Sequence, residues 1–315
     1  KFYIEFETSD NRHAFKDVAK EIERLKEQKV EGIIMDLRNN GGGSLQTVVD
    51  MVGLFIDQGP VVQVRSQKGQ RNVLFDKDPK VQWNGPLVVM INNYSASASE
   101  IFAAAIQDYN RGIIVGSKHS YGKGTVQNMF DLNSIIKVKD YDFGSIKFTS
   151  QKFYRVDGGS TQLKGVESDI IMPDRFTYID TGERDRSNAM KWDKIEKADY
   201  KKSNDNFSNI IENSKKRILA NTQFKLIDEN AKWISSKKDD YTYSLNYDDY
   251  VKKSKEIDEK TKVFKPIKEY KNTLKFTSLP YELEIFKNDS ILKKKRERWH
   301  ENLNTDVYVD EAVNV

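Results

Sequence analysis

Two kinds of apolar pattern alternate along the first half of the chain. Over residues 10–29, Phe15, Val18, Ile22 and Leu25 recur at helical spacing against a charged opposite face, which predicts an amphipathic helix. GIIMDL (32–37) is a short continuous apolar run, read as a buried strand, and NNGGG stops it. SLQTVVDMVGLFI (44–56) then reads as a helix with Ser44 as its N-cap. PVVQV (60–64), PLVVMI (86–91) and GIIVG (112–116) are further buried strands, and an alanine-rich helix lies between the last two. This alternation predicts an α/β layer, with helices packed over a sheet. GTVQNMFDL and SIKFTSQKFYRVDGG follow as a pair of longer, antiparallel strands.

The pattern changes near 175–185, where PDRFTYIDTGERDRSN is polar and rich in turn formers. Beyond it Lys, Asp, Asn and Tyr dominate, and 206–236 carries helical periodicity through Phe207, Ile210, Ile211, Ile218 and Leu219. The division expected is an α/β core over 1–184 and a mainly helical domain over 185–315, broken at Pro266. Both ends read as cut. FYIEF leaves no room for a preceding strand, and the chain stops inside the apolar-patterned DVYVDEAVNV.

Composition narrows the classes. A chain of 315 residues can bury a sizeable core. Its 52 Lys and Arg against 48 Asp and Glu leave a net +4, too mild a charge for a nucleic-acid partner, and KKKRER (293–298) reads as a solvated helix face. No apolar run approaches the roughly 18 residues of a membrane span, and the opening Lys1 begins no signal-peptide pattern. A chain without cysteine has no disulfide, thiolate nucleophile or Cys-ligated metal, and His13, His119 and His300 form no zinc motif. No cofactor or metal is expected.

The candidate chemistry starts at YSASASEIF (94–102), a ladder of small hydroxyls before a helix read to begin at about Ser99 or Glu100. First-turn N–H groups lack intrahelical partners, so a hydroxyl there meets positive potential and donors that can hold an oxyanion. By itself the ladder also fits one N-cap serine, best Ser99, with turn filler around it. DLRNNGGG (36–43) ends a buried strand in glycines whose N–H groups can face a ligand, and it does not match a phosphate loop. SYGKGTVQ (120–127) sets Lys123 between glycines; as a general base it would have to be neutral, which requires burial.

Together DLRNNGGG, SASASEIFAAAIQDY, GKGTVQ and QKFYRVDGGSTQLKGVESDIIMPD resemble the C-terminal processing proteases, most closely their tail-specific branch, over about residues 30–174. A looser likeness continues through AMKWDKIEKADY, YSLNYDDYVKK and DVYVDEAVNV. The resemblance implies an α/β, ClpP/crotonase-like serine protease core followed by a mainly α-helical C-terminal domain. It implies Ser97 as nucleophile, Lys123 as general base and Gln127 positioning that lysine, with oxyanion-hole N–H groups from Ala98 and Gly43, and Gly42 as the lesser candidate. It implies an endopeptidase of the periplasm or cell envelope, cutting exported proteins known by apolar C-terminal tails. Polypeptide substrates are the expected partners; an adaptor protein or self-association is the further partner considered, and membrane attachment would come only through segments outside the chain.

The sequence departs from that family in three places. The loop carrying Lys123 is one residue longer, which adds a position between Ser97 and Lys123. Glu167-Ser168 replace a pattern that usually holds proline, and the PDZ domain expected before the core is missing. His119 is the competing base. The alternative functions are a non-catalytic binding module on the same fold and, lower, an acyl-CoA enzyme of crotonase type.

Overall fold

The computed structural model describes residues 1–4, 12–138 and 141–315. The first two residues of the helical pattern at 10–29, and the end of FYIEF, lie outside the described residues. The helix itself is α1 (Ala14–Glu27), which buries Ile22 against the core. Strand β1 (Ile33–Asp36) precedes helix α2 (Leu45–Gly53), whose N-cap Ser44 accepts from Thr47 N–H at 3.2 Å. Strands β2 (Gly59–Ser66), β3 (Arg71–Asp76) and β4 (Leu87–Ile91) follow, then helix α3 (Ala98–Asp108) and strand β5 (Ile113–Gly116). The long pair is β6 (Thr125–Asp131) and β7 (Ser145–Tyr154), and β8 (Ile170–Ile171) closes the core. Strand β3 has no counterpart in the apolar pattern. RNVLFD is largely exposed and lacks the continuous run that marked the other strands.

Two sheets result. One is parallel, in the order β1-β4-β5-β8, and the other is antiparallel, in the order β3-β2-β7-β6. Helices α2 and α3 lie on the parallel sheet, and Phe102 meets Phe55 edge-on with ring centroids 5.7 Å apart.

The remaining helices are α4 (Ser208–Ala220), α5 (Thr222–Lys237), α6 (Tyr247–Lys262), α7 (Pro280–Phe286), α8 (Ser290–Asn304) and α9 (Val307–Val313). Their place follows from the period-two alternation of β4. Leu87, Val89 and Ile91 face the core with α2 and α3, whereas Val88 and Met90 face the other way, with Val115, Ile170 and Met172. That second face is covered by Ile218, Phe224, Ile227, Val307, Val309 and Ala312 of the C-terminal region. A parallel sheet needs cover on both faces, and this chain supplies the second layer from its far end.

An ion pair sits at the same seam. The Arg38 guanidinium bonds Asp36 and reaches Asp306, just before α9, at 2.8 Å. Burial alone would lower the Arg38 pKa, but hydrogen bonds to Asp36 and Asp306 outweigh it and the pKa is raised. Tyr308 donates to Pro173 O at 2.9 Å beside it. Among the described residues no helix is long and apolar enough to cross a membrane.

Candidate active site

The three serines of SASAS have different surroundings. Ser95 is buried; its hydroxyl donates to Leu37 O at 2.8 Å and accepts from Asn92 N–H at 2.9 Å. Ser99 is buried too, and donates to Asn40 O at 2.8 Å. Both tie the start of α3 to the loop that leaves β1, a link to which Ala96 N–H adds a bond to Asn40 O at 3.0 Å. Ser97, between them, makes no cap bond, and no hydrogen bond among the described residues engages its Oγ.

The expected N-cap is corrected here. Helix α3 starts at Ala98, so Ser97 is its N-cap and Ser99 lies inside the first turn. Ser97 has φ 59° and ψ −114°, a conformation that L-residues rarely adopt and that the surrounding bonds hold in place. It presents the hydroxyl at the helix N-terminus, where the dipole and unpaired N–H groups converge.

Gly42 is the reason the neighbouring loop comes so close. At φ +99°, a β-carbon on it would stand 2.7 Å from Ala96 O, 2.8 Å from Ser97 Cβ and 2.9 Å from Ala98 N. Its N–H is taken by Asn40 Oδ1 at 3.0 Å. Gly43 differs: the bridge to Phe2 uses Gly42 O and Ser44 N–H, which leaves the Gly43 N–H unused among the described residues. Ala98 N–H, the first of α3, has no partner there either.

Lys123 enters from the other side. A pocket of about 270 Å³ is lined by Ser97 and Ala98, by Gly43, and by Lys123, Gln127 and Lys147. Lys123 Nζ donates to Gln127 Oε1 at 3.3 Å. Among the described residues no hydrogen bond joins it to Ser97 Oγ, although the two line one pocket. Burial, reinforced by the nearby Lys147 ammonium, lowers the pKa of Lys123. His119 lies on a different cavity, with Arg155 and Trp192.

Glu100 holds these parts in register, and sequence reading missed it. Its fully buried carboxylate accepts from Ser97 N–H (2.8 Å), Ser120 Oγ (2.6 Å), Gly122 N–H (2.7 Å) and Lys123 N–H (3.0 Å). Burial pushes its pKa up to about 7 against the pull of those donors. A signal existed: Ser97-x-x-Glu100 has the spacing of a capping box, hidden when the helix start is set two residues late. Lys147, 24 residues past Lys123, carries no local signal at all.

This chain belongs to peptidase family S41, whose model matches residues 3–172. Residues 176–315 match the C-terminal domain of tail specific protease. The chain is 47% identical over 237 residues to the tail-specific protease of Haemophilus influenzae, covering 73% of this chain and 34% of that protein. It is 34% identical over 180 residues to the carboxy-terminal processing protease CtpA of Bacillus subtilis, covering 55% and 36%. Among solved structures it resembles a photosystem II D1 C-terminal processing protease, with 28% identity and a TM-score of 0.44 over 50% of this chain and 39% of that one. The chain spans about a third of the length of these two curated relatives.

Proposed function

We infer that the chain is the catalytic and C-terminal region of a serine endopeptidase of the C-terminal processing type, working through a Ser97–Lys123 dyad. The observation that carries this is the selective freedom of Ser97. Its two sister serines are buried and bonded, while it stands at a helix N-terminus in the pocket that holds Lys123. In the reaction, neutral Lys123 takes the Ser97 proton as Oγ attacks a peptide carbonyl and forms the C–O bond. The resulting oxyanion is received by the Ala98 and Gly43 N–H groups. Lys123 then delivers the proton to the leaving amine, and water releases the acyl group by the reverse exchange. Gln127 keeps the lysine within the pocket until a substrate draws it toward Ser97; resting sites often have longer bonds than reacting ones.

The substrates of this reading are exported polypeptides recognised by apolar C-terminal tails, and the compartment is the periplasm or cell envelope. The names of the relatives support action at C-terminal tails, and the compartment follows from the family resemblance. The core is taken as 1–184 and the helical domain as 185–315, the latter acting as a structural clamp over the sheet. Ser97→Ala and Lys123→Ala in the full-length protein should each abolish peptide cleavage while leaving the melting transition in place. Full activity in either variant would remove the dyad.

A further inference from the structure

Lys147 belongs to the same pocket from a separate strand. In the β6–β7 register Gln127 faces Thr149 and Met129 faces Lys147. Residues two apart on a strand share a face, so Lys147 stands on the face that carries Gln127, the partner of Lys123 Nζ. Its side chain reaches the pocket wall beside Ser97 and Lys123.

What separates Lys147 from the other lysine of β7 is its lack of a counter-ion. Lys152 is paired with Asp193, whereas among the described residues no carboxylate lies within ion-pair distance of Lys147. An unpaired ammonium beside a second lysine makes that neighbour's charged form costly, because like charges repel. The base of the proposed reaction requires that neighbour to be neutral.

We propose that Lys147 is a positioning residue of the active site, which keeps Lys123 in its proton-accepting form by standing a second positive charge in the same pocket. The inference rests on the dyad reading above. It also has a sign. The charged groups acting on Lys123 are Lys147 and Arg186, which favour its neutral form, and Glu100 and Glu183, which favour its charged form. Removing Lys147 leaves the two carboxylates opposed by Arg186 alone, so Lys123 holds its proton to higher pH.

The test is the pH dependence of Ser97 acylation by an active-site-directed reagent in the full-length protein, at low ionic strength. Lys147→Met should move the acid edge of the profile to higher pH, with roughly three- to tenfold slower labelling at a fixed pH on that edge. Lys147→Arg should restore the wild-type edge, and Lys147→Glu should move it further than Met. Because Lys147 is exposed, high salt should carry the wild-type edge to higher pH and narrow its gap from the Met variant's edge. The wild-type shift needs no variant and can be read even if one fails to fold. A lysine that merely kept the hairpin soluble would change the yield or plateau and not the edge. Coincident edges for wild type and Lys147→Met, or an Arg variant that shifts as far as Met, would overturn the inference with the dyad intact. Labelling that survives in Lys123→Ala would instead remove the dyad, and the role of Lys147 with it.

Discussion

Gly42→Ala is the sharpest test of how the site is built, because the added methyl meets only rigid atoms. Its β-carbon would lie 2.7 Å from Ala96 O, 2.8 Å from Ser97 Cβ and 2.9 Å from Ala98 N. None of these is the far end of a flexible side chain, so relief must come from moving the Ser97 turn or the loop. The φ of +99° adds about 1–2 kcal/mol of strain for any residue with a β-carbon, and overpacking adds about 1–3 kcal/mol. The sum, roughly 2–5 kcal/mol, should appear as a melting transition lowered by several degrees. Gly41→Ala is the control: nothing lies within 4 Å of its β-carbon and its φ is not in the left-handed region, so stability should change by less than about 0.5 kcal/mol. Acylation of Ser97 should fall on the order of a hundredfold in Gly42→Ala, since about 1 Å of displacement suffices for that. Calorimetry and labelling read the two effects separately. A Gly42→Ala protein as stable and as readily labelled as wild type would refute the claim that this loop and the Ser97 turn are in closest contact.

Two further substitutions probe the parts that hold the site. Glu100 has a native pKa of about 7 against 4.5 for the free side chain, so its proton stabilises the fold fully below the lower value and is lost as pH rises through the higher. The cost of Glu100→Gln should therefore shrink by roughly 3 kcal/mol between the acid and alkaline sides of that window, as measured by urea denaturation. A pH-independent difference would show that the native pKa of Glu100 is not raised. Arg38→Ala leaves Asp306 without its guanidinium at the seam with α9 and should cost about 2–4 kcal/mol. Lys should not rescue it, because the fork that bonds Asp36 through two nitrogens is lost. Limited proteolysis of the C-terminal helices in these variants reads that loosening directly.

Much of the protein is written locally. The runs LVVMI and IIVG announce strands because a strand buried on both faces has no polar positions to interrupt it, whereas IIMD, at the edge of the sheet, is a strand that exposes Ile34 and Asp36. Ser44 announces α2 because an N-cap bonds only three residues ahead. The elements around the candidate site, in their order, are legible for the same reason. Tertiary structure decided what depends on separation. Ser95 and Ser99 share the local pattern of Ser97, which the family resemblance alone sets apart in the sequence, and only the fold engages their hydroxyls, with Leu37 and Asn40 nearly sixty residues earlier. Glu100 is one more acid on a helix until Ser120, Gly122 and Lys123 fold back onto it. Lys147 joins the pocket through strand register, and α9 meets the outer face of the parallel sheet more than two hundred residues after β4. Periodicity tells each segment which of its faces to bury. Only the closed fold, where distant segments compete for the same apolar surface, decides against what.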